Sequence, residues 1–175
     1  MAGSRIEDYA LIGDCETAAL VSRTGSIDWL CLPRFDSPAC FAALLGSPDH
    51  GRWLLAPVEV PRAVRRSYRD GTLVLETEFD TPEGTVVVVD CMPVRDDVPN
   101  VCRVVEGRRG RVRMRMELVI RLDYGSLIPW VPRCEDGVIA VGGSNLIRLT
   151  TSVPLHGENF RTIAEFTIGE GERVA

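Results

Sequence analysis

Turn signals recur along this chain about every 8–12 residues, and between them side chains alternate instead of repeating at helical spacing. Asp70-Gly71, Thr81-Pro82-Glu83-Gly84, Gly107-Arg108-Arg109-Gly110, Asp136-Gly137 and Gly142-Gly143-Ser144-Asn145 all read as turns. There glycine supplies a positive φ, or proline interrupts a ladder. From Arg111 the alternation is strict. Arg111, Arg113, Arg115 and Glu117 fall on one side, and Val112, Met114, Met116, Leu118 and Ile120 on the other. A period of two is a strand with one buried face. The arginine row reads as a solvated face with acidic partners across the sheet, with an anion-binding stripe as the alternative. Leu73, Leu75, Thr77 and Phe79 share a face in the same way, and the four valines after Thr85 mark a strand covered on both faces. Further strands are expected at 9–13, 18–22, 27–32, 52–56, 64–69, 98–106, 138–141, 146–151 and 161–168. The sum is an all-β chain, an antiparallel β-sandwich.

One segment breaks the pattern. Strand 27–32 runs into Pro33, and Ser37-Pro38 then reads as a helix start, serine as the cap and proline at the first helical position. Phe41, Leu44 and Leu45 share a helical face and Gly46 closes it, so one short helix is expected near residues 38–45. The loop between strand and helix carries Arg34, Phe35 and Asp36. Its two opposite charges form a polar binding site or a local ion pair, and spacing alone leaves both open.

A length of 175 residues favours one domain, 1–175, large enough for a sizeable core. The net charge of −5 gives no general attraction to nucleic acid or to an anionic membrane. No apolar run of about 18 residues is present to span a bilayer. The N-terminus lacks the apolar core of a secretory signal, so reduced cysteines and a cytoplasmic location are expected. The six cysteines form no Cys-x-x-Cys pair and the two histidines are far apart, so no metal site and no cofactor are expected. The glycine-rich segment 169–175 reads as the trailing end of a chain cut from a longer one.

No serine or cysteine stands in an evident arrangement with a base, and no glycine loop leads into a helix to cradle phosphate. Catalytic residues are therefore expected to be none. Aromatic and polar residues suited to a sugar do stand out: Trp29, Trp53, Tyr124 and Trp130 for stacking, and Arg34, Asp36 and Asp123 for hydroxyls. Trp29 and Trp53 lie in strands and read as core. Trp130, between Pro129 and Pro132, lies in a loop, where a pure core role is less expected.

Together these segments resemble the N-terminal domain of the bacterial glucoamylase and trehalase-like enzymes of glycoside hydrolase family 15. The resemblance rests on Tyr9 to Asp14 with Thr17 to Val21, then on Gly25 to Cys31 continuing through Arg34-Phe35-Asp36-Ser37-Pro38 to Phe41. It continues with Tyr68, Thr72 to Thr77, Gly84 to Asp90 and Met92-Pro93, then Arg121-Leu122-Asp123-Tyr124-Gly125 with Pro129 and Trp130. Leu122 stands where phenylalanine is common in such enzymes, and Ser126 where a basic residue often follows. The resemblance implies a supersandwich-like accessory domain preceding an (α/α)6 barrel. That barrel would supply two glutamates for inverting hydrolysis of an α-glucoside, and neither lies in this chain. The implied partner is the chain's own C-terminal catalytic domain, and through it the α-glucoside substrate. Arg34, Phe35, Asp36, Asp123, Tyr124 and Trp130 are then the candidates for a substrate cleft or domain interface, with the Arg34–Pro38 and Asp123–Trp130 loops expected side by side. A homo-oligomeric assembly module and an autonomous carbohydrate-binding module are the alternatives.

Overall fold

The computed structural model describes residues 5–95 and 97–175, and every element longer than one helical turn is a strand. β1 (Tyr9–Gly13), β2 (Ala18–Ser22) and β3 (Ser26–Cys31) make an antiparallel meander. The second edge of β3 is shared by β4 (Ala39–Phe41) at one end and β5 (Arg52–Pro57) at the other. A second meander follows, of β6 (Ala63–Tyr68), β7 (Leu75–Asp80) and β8 (Gly84–Cys91).

Both meanders are joined by β9 (Cys102–Val119), a strand of 18 residues. Its first half pairs with β8, while its second half pairs with β5. Two sheets thus share one long strand. The reading of Gly107–Gly110 as a turn is corrected here, because the backbone continues through as a strand. Gly110 takes φ +66° beside a register shift in the β8–β9 ladder, and a Cβ on Gly107 would lie 1.9 Å from the Gly169 carbonyl oxygen. These glycines make a bulge and a close strand crossing, not a hairpin.

A small separate sheet is formed by β10 (Arg133–Cys134), β11 (Gly137–Gly142) and β12 (Asn145–Thr150). β13 (His156–Glu158) and β14 (Arg161–Gly169) form a hairpin, and β14 covers the edge of β9 opposite β5. The C-terminal residues do not trail off as expected from their glycine and charge. β15 (Arg173–Val174) pairs with β9 at Val105 and Glu106, and the Ala175 carbonyl accepts a hydrogen bond from Thr151.

One contiguous core lies between the two sheets. Phe79, Val86, Val88 and Val105 come from one, and Ile12, Val21, Ile27, Met114 and Ile168 from the other. Val86 to Val89 are all buried, which is the two-sided coverage expected of the valine run. On β9, Arg113 and Arg115 face Glu165 of β14, so the arginine row is a solvated, acid-paired face, although Glu117 is buried.

The helix expected near residues 38–45 is absent. Ala39–Phe41 is β4, and only Ala43–Leu45 forms a single 3-10 turn. Ala39, Cys40, Phe41 and Ala42 are all buried, so this short apolar run is covered on every side, as suits a strand in a core. Ser37 does not cap a helix; its Oγ accepts the Arg34 N–H at 3.2 Å.

Candidate functional site

Three surface features grow out of this frame. The first is the loop after β3, entered through a cis Leu32–Pro33 peptide. Arg34 Nε donates to Asp36 Oδ1 at 3.0 Å, and the Ser37 N–H donates to the Arg34 carbonyl at 3.1 Å. The two charges form a local ion pair. Asp36 is held below the usual carboxylate range by Arg34, and Arg34 is raised in turn by its bond to Asp36. Both are exposed, and such pairs contribute little to stability.

Phe35, 62% exposed, is held by its N–H donating to the Glu16 carbonyl at 3.0 Å. The turn that presents Glu16 is built on Asp14, whose Oδ1 accepts the amides of Glu16 and Thr17 at 3.0 and 2.8 Å. Arg95 Nε donates to Asp14 Oδ2 at 2.8 Å. Burial pushes the Asp14 carboxyl up, but the Arg95 bond and the two amides outweigh it and hold the group below its ordinary value. A lowered carboxylate pKa stabilises the fold above the unfolded value, about 3.9, and that contribution fades as pH falls through the folded value. Arg95→Ala is therefore expected to lower the melting temperature most near neutral pH. The gap from wild type should narrow below about pH 4, which thermal melts across pH would register.

The second feature is Asp123-Tyr124-Gly125, with φ of +50°, +58° and +99°. Two consecutive non-glycine residues in the left-handed region are uncommon. Ser126 Oγ donates to Asp123 Oδ2 at 3.0 Å, and the Gly125 N–H donates to the Leu122 carbonyl at 3.2 Å. This turn swings the Tyr124 ring to 6.2 Å from Trp29 at an interplanar angle of 42°, leaving Tyr124 48% exposed. Trp29 is half-buried against Cys31, Ala39 and Ala42, so Tyr124 lies over the β3–β4 pair that brackets the Arg34 loop. Among the described residues no hydrogen bond or ion pair joins Arg34, Phe35 or Asp36 to Asp123, Tyr124 or Trp130.

Trp130 belongs to the third feature. Its backbone exchanges hydrogen bonds of 2.9 and 2.8 Å with Val141, and its side chain is 72% exposed at the wall of an open groove of about 620 Å³. The same groove is lined by Phe160, 77% exposed, at the tip of the β13–β14 hairpin. Asn159 and Phe160 have φ of +49° and +59°, the mirror-image turn that matches strand twist. Sequence reading missed Phe160, because that turn is normally signalled by Asn-Gly and here the glycine is replaced. It also missed Arg121, which is buried beneath the groove. Arg121 donates to the Ile120 and Phe160 carbonyls at 2.8 and 3.3 Å, has no carboxylate partner among the described residues, and is lowered in pKa by burial. Nearby, Arg161 pairs with Asp49 at 2.7 Å and with Glu117 at 3.3 Å, and Arg52 closes on Glu117 at 2.7 Å.

A family model described as trehalase-like, N-terminal, matches residues 1–158. The chain belongs to that family. The trehalase of Mycobacterium tuberculosis is 30% identical over 196 residues, covering 97% of this chain but 29% of that protein. Trehalase 2 of Sulfolobus acidocaldarius is 31% identical over 132 residues, covering 75% of this chain and 21% of that protein. The trehalase of Mycolicibacterium smegmatis is 42% identical over 87 residues, half of this chain and 13% of that protein. The chain thus spans less than a third of the length of these relatives. No solved structure matches it.

The chemistry available in the groove of this trehalase-like N-terminal domain is limited. Hydrolysis of a glycoside by acid–base catalysis needs two carboxylates flanking one bond. Glu158 is the single carboxylate among the described residues lining the groove. Among the described residues no three metal-ligating side chains gather, and no helix is long and apolar enough to cross a membrane. What the groove offers instead is two exposed aromatic rings, Trp130 and Phe160, and one buried arginine, Arg121.

Proposed function

We propose that this trehalase-like N-terminal domain is a non-catalytic part of a longer, cytoplasmic α-glucosidic hydrolase of glycoside hydrolase family 15. It packs on an (α/α)6 barrel that carries the two catalytic glutamates and performs inverting hydrolysis. The face bearing Tyr124, Trp130 and Phe160 meets the barrel, and Arg34, Phe35, Asp36 and Asp123 extend that face to wall one side of the substrate cleft. The observation that carries this reading is the pair of large aromatic rings, Trp130 and Phe160, left exposed at the lining of one groove. Exposed aromatics around a buried polar floor are the makings of an interface hot spot. The relatives, named trehalase and several times longer, support a glycosidase as the neighbour.

The first test is the downstream reading frame, which should encode a helical barrel. With that barrel expressed as a separate polypeptide, Trp130→Ala and Tyr124→Ala should each weaken association by at least about 30-fold, the loss typical of a hot-spot aromatic. In the joined protein the same changes should lower turnover of trehalose or maltooligosaccharide. Unchanged association and unchanged kinetics would remove the reading. Light scattering that finds a stable dimer of residues 1–175 would favour an assembly module. Saturable binding of trehalose to the isolated chain would favour an autonomous sugar-binding module.

A further inference from the structure

Cys91, the last residue of β8, lies directly opposite Cys102, the first residue of β9, in the antiparallel register. Directly opposed residues of such a pair have Cα atoms about 4.5–5.5 Å apart and side chains on one face. That spacing falls within the roughly 4.4–6.8 Å that a disulfide spans. The preceding pair in the same register, Asp90 and Arg103, points into the core, so alternation turns Cys91 and Cys102 the other way. Cys102 is exposed, Cys91 is half-buried, and both thiols are free. Burial pushes the Cys91 thiol up, and the neighbouring Cys102, close enough to hydrogen-bond, pushes it further; Arg69 opposes this.

The other cysteines lack this combination. Cys31 and Cys40 are buried, and neither Cys15 nor Cys134 has a cysteine opposite it in a described ladder.

We propose that Cys91 and Cys102 form a modification site, a surface dithiol that closes to a reversible cross-strand disulfide by exchange with a small-molecule disulfide such as oxidised glutathione. The Cys102 thiolate attacks one glutathione sulfur, breaking that S–S bond and releasing one glutathione, which takes up a proton. Cys91 then loses its proton to water and attacks Cys102 Sγ in the mixed disulfide, expelling the second glutathione. Two protein thiols are oxidised by two electrons, and one glutathione disulfide is reduced to two thiols.

The bond has a mechanical consequence. It fastens the base of the segment that carries Arg95, whose guanidinium holds Asp14 and, through the Asp14 turn, the Glu16 carbonyl that anchors Phe35. The ladder between β8 and β9 ends at Cys91 and Cys102, so the link pins the point where the two strands separate.

The test uses the whole 175-residue chain treated with oxidised glutathione, followed by alkylation and peptide mass mapping. The expected product is two hydrogens lighter, carries a Cys91–Cys102 link, and returns to the starting mass with dithiothreitol. Its melting temperature should rise by on the order of 5 °C, the effect of closing a short loop in a domain of this size. Cys91→Ala should instead retain one glutathione on Cys102, whereas Cys15→Ser and Cys134→Ser should leave the link unchanged. A stable glutathione adduct on Cys102 of the unmutated chain, a bond to any other cysteine, or no reaction would overturn the assignment. An oxidised protein melting no higher than the reduced one would overturn the clamp.

Discussion

Arg103→Ala will destabilise the domain by about 3–5 kcal/mol, the usual cost of stranding one half of a buried ion pair. In a chain of this length the melting temperature should fall by roughly 10 °C. Arg103 and Asp90 are both fully buried as side chains, with Nε of the arginine 2.8 Å from Asp90 Oδ1. The same guanidinium donates to the Trp53 carbonyl at 2.6 Å and to the Gly25 carbonyl at 2.8 Å, and its centre lies 5.3 Å from the Trp53 ring. One side chain therefore ties β8 and β9 to β5 and to the turn before β3. Alanine would strand the Asp90 carboxylate inside the core and take one donor from each of the Trp53 and Gly25 carbonyls.

Lysine cannot replace this fork with a single ammonium, so Arg103→Lys should recover only part of the loss. The paired change Arg103→Met with Asp90→Leu should cost less than Arg103→Ala alone, because no charge is then left unpaired. Urea denaturation of the four proteins checks each value. A midpoint for Arg103→Ala that coincides with wild type would show that the pair contributes nothing to the fold.

Gly25→Ala should cost about 2–5 kcal/mol, for two separable reasons. Gly25 takes φ +82°, and an alanine there carries the left-handed penalty of about 1–2 kcal/mol. Its Cβ would also lie 2.5 Å from the Leu55 carbonyl oxygen and 3.2 Å from Phe79, so backbone has to shift, adding about 1–3 kcal/mol. Gly71 isolates the first contribution: its φ is +69°, and a Cβ there would meet nothing within 4 Å. Gly71→Ala should lose only the smaller amount. The Gly25 carbonyl accepts from both Arg103 and the Leu55 N–H, so Gly25→Ala and Arg103→Ala act on one junction. Their double variant should lose less than the sum of the singles, which chemical denaturation of the cycle would measure. Additivity within about 0.5 kcal/mol would mean that the two sites are independent.

The strands were legible because their signal is local. Arg111 to Ile120 alternates, Val86 to Val89 is apolar on both faces, and the structure buries them accordingly. Residues 38–45 look helical in sequence because Ser37-Pro38 followed by apolar residues satisfies the rules for a helix start. The burial of Ala39 to Ala42 on every side, which selects a strand, depends on β3 and Trp29 and is not written in the segment itself. Gly107 and Gly110 read as a turn for a similar reason. A glycine required by a neighbouring strand looks the same in sequence as one required by a turn.

The candidate residues show the same division. Arg34 and Asp36 are two residues apart, so the ion pair was available from spacing, although not decided by it. Phe160 was invisible, since its exposure follows from a two-residue turn without glycine, set by the β13–β14 register. The Cys91–Cys102 pairing likewise exists only once β8 and β9 are in register.

What the sequence by itself determined is the all-β class, most of the strands, and the family to which their motifs belong, because side-chain period and turn chemistry act between near neighbours. Only the tertiary structure decided that one strand of 18 residues serves both sheets, that Trp130 and Phe160 line one groove, and that Arg103 closes the junction. Those contacts join residues distant in the chain, and their register is set by packing the whole core at once.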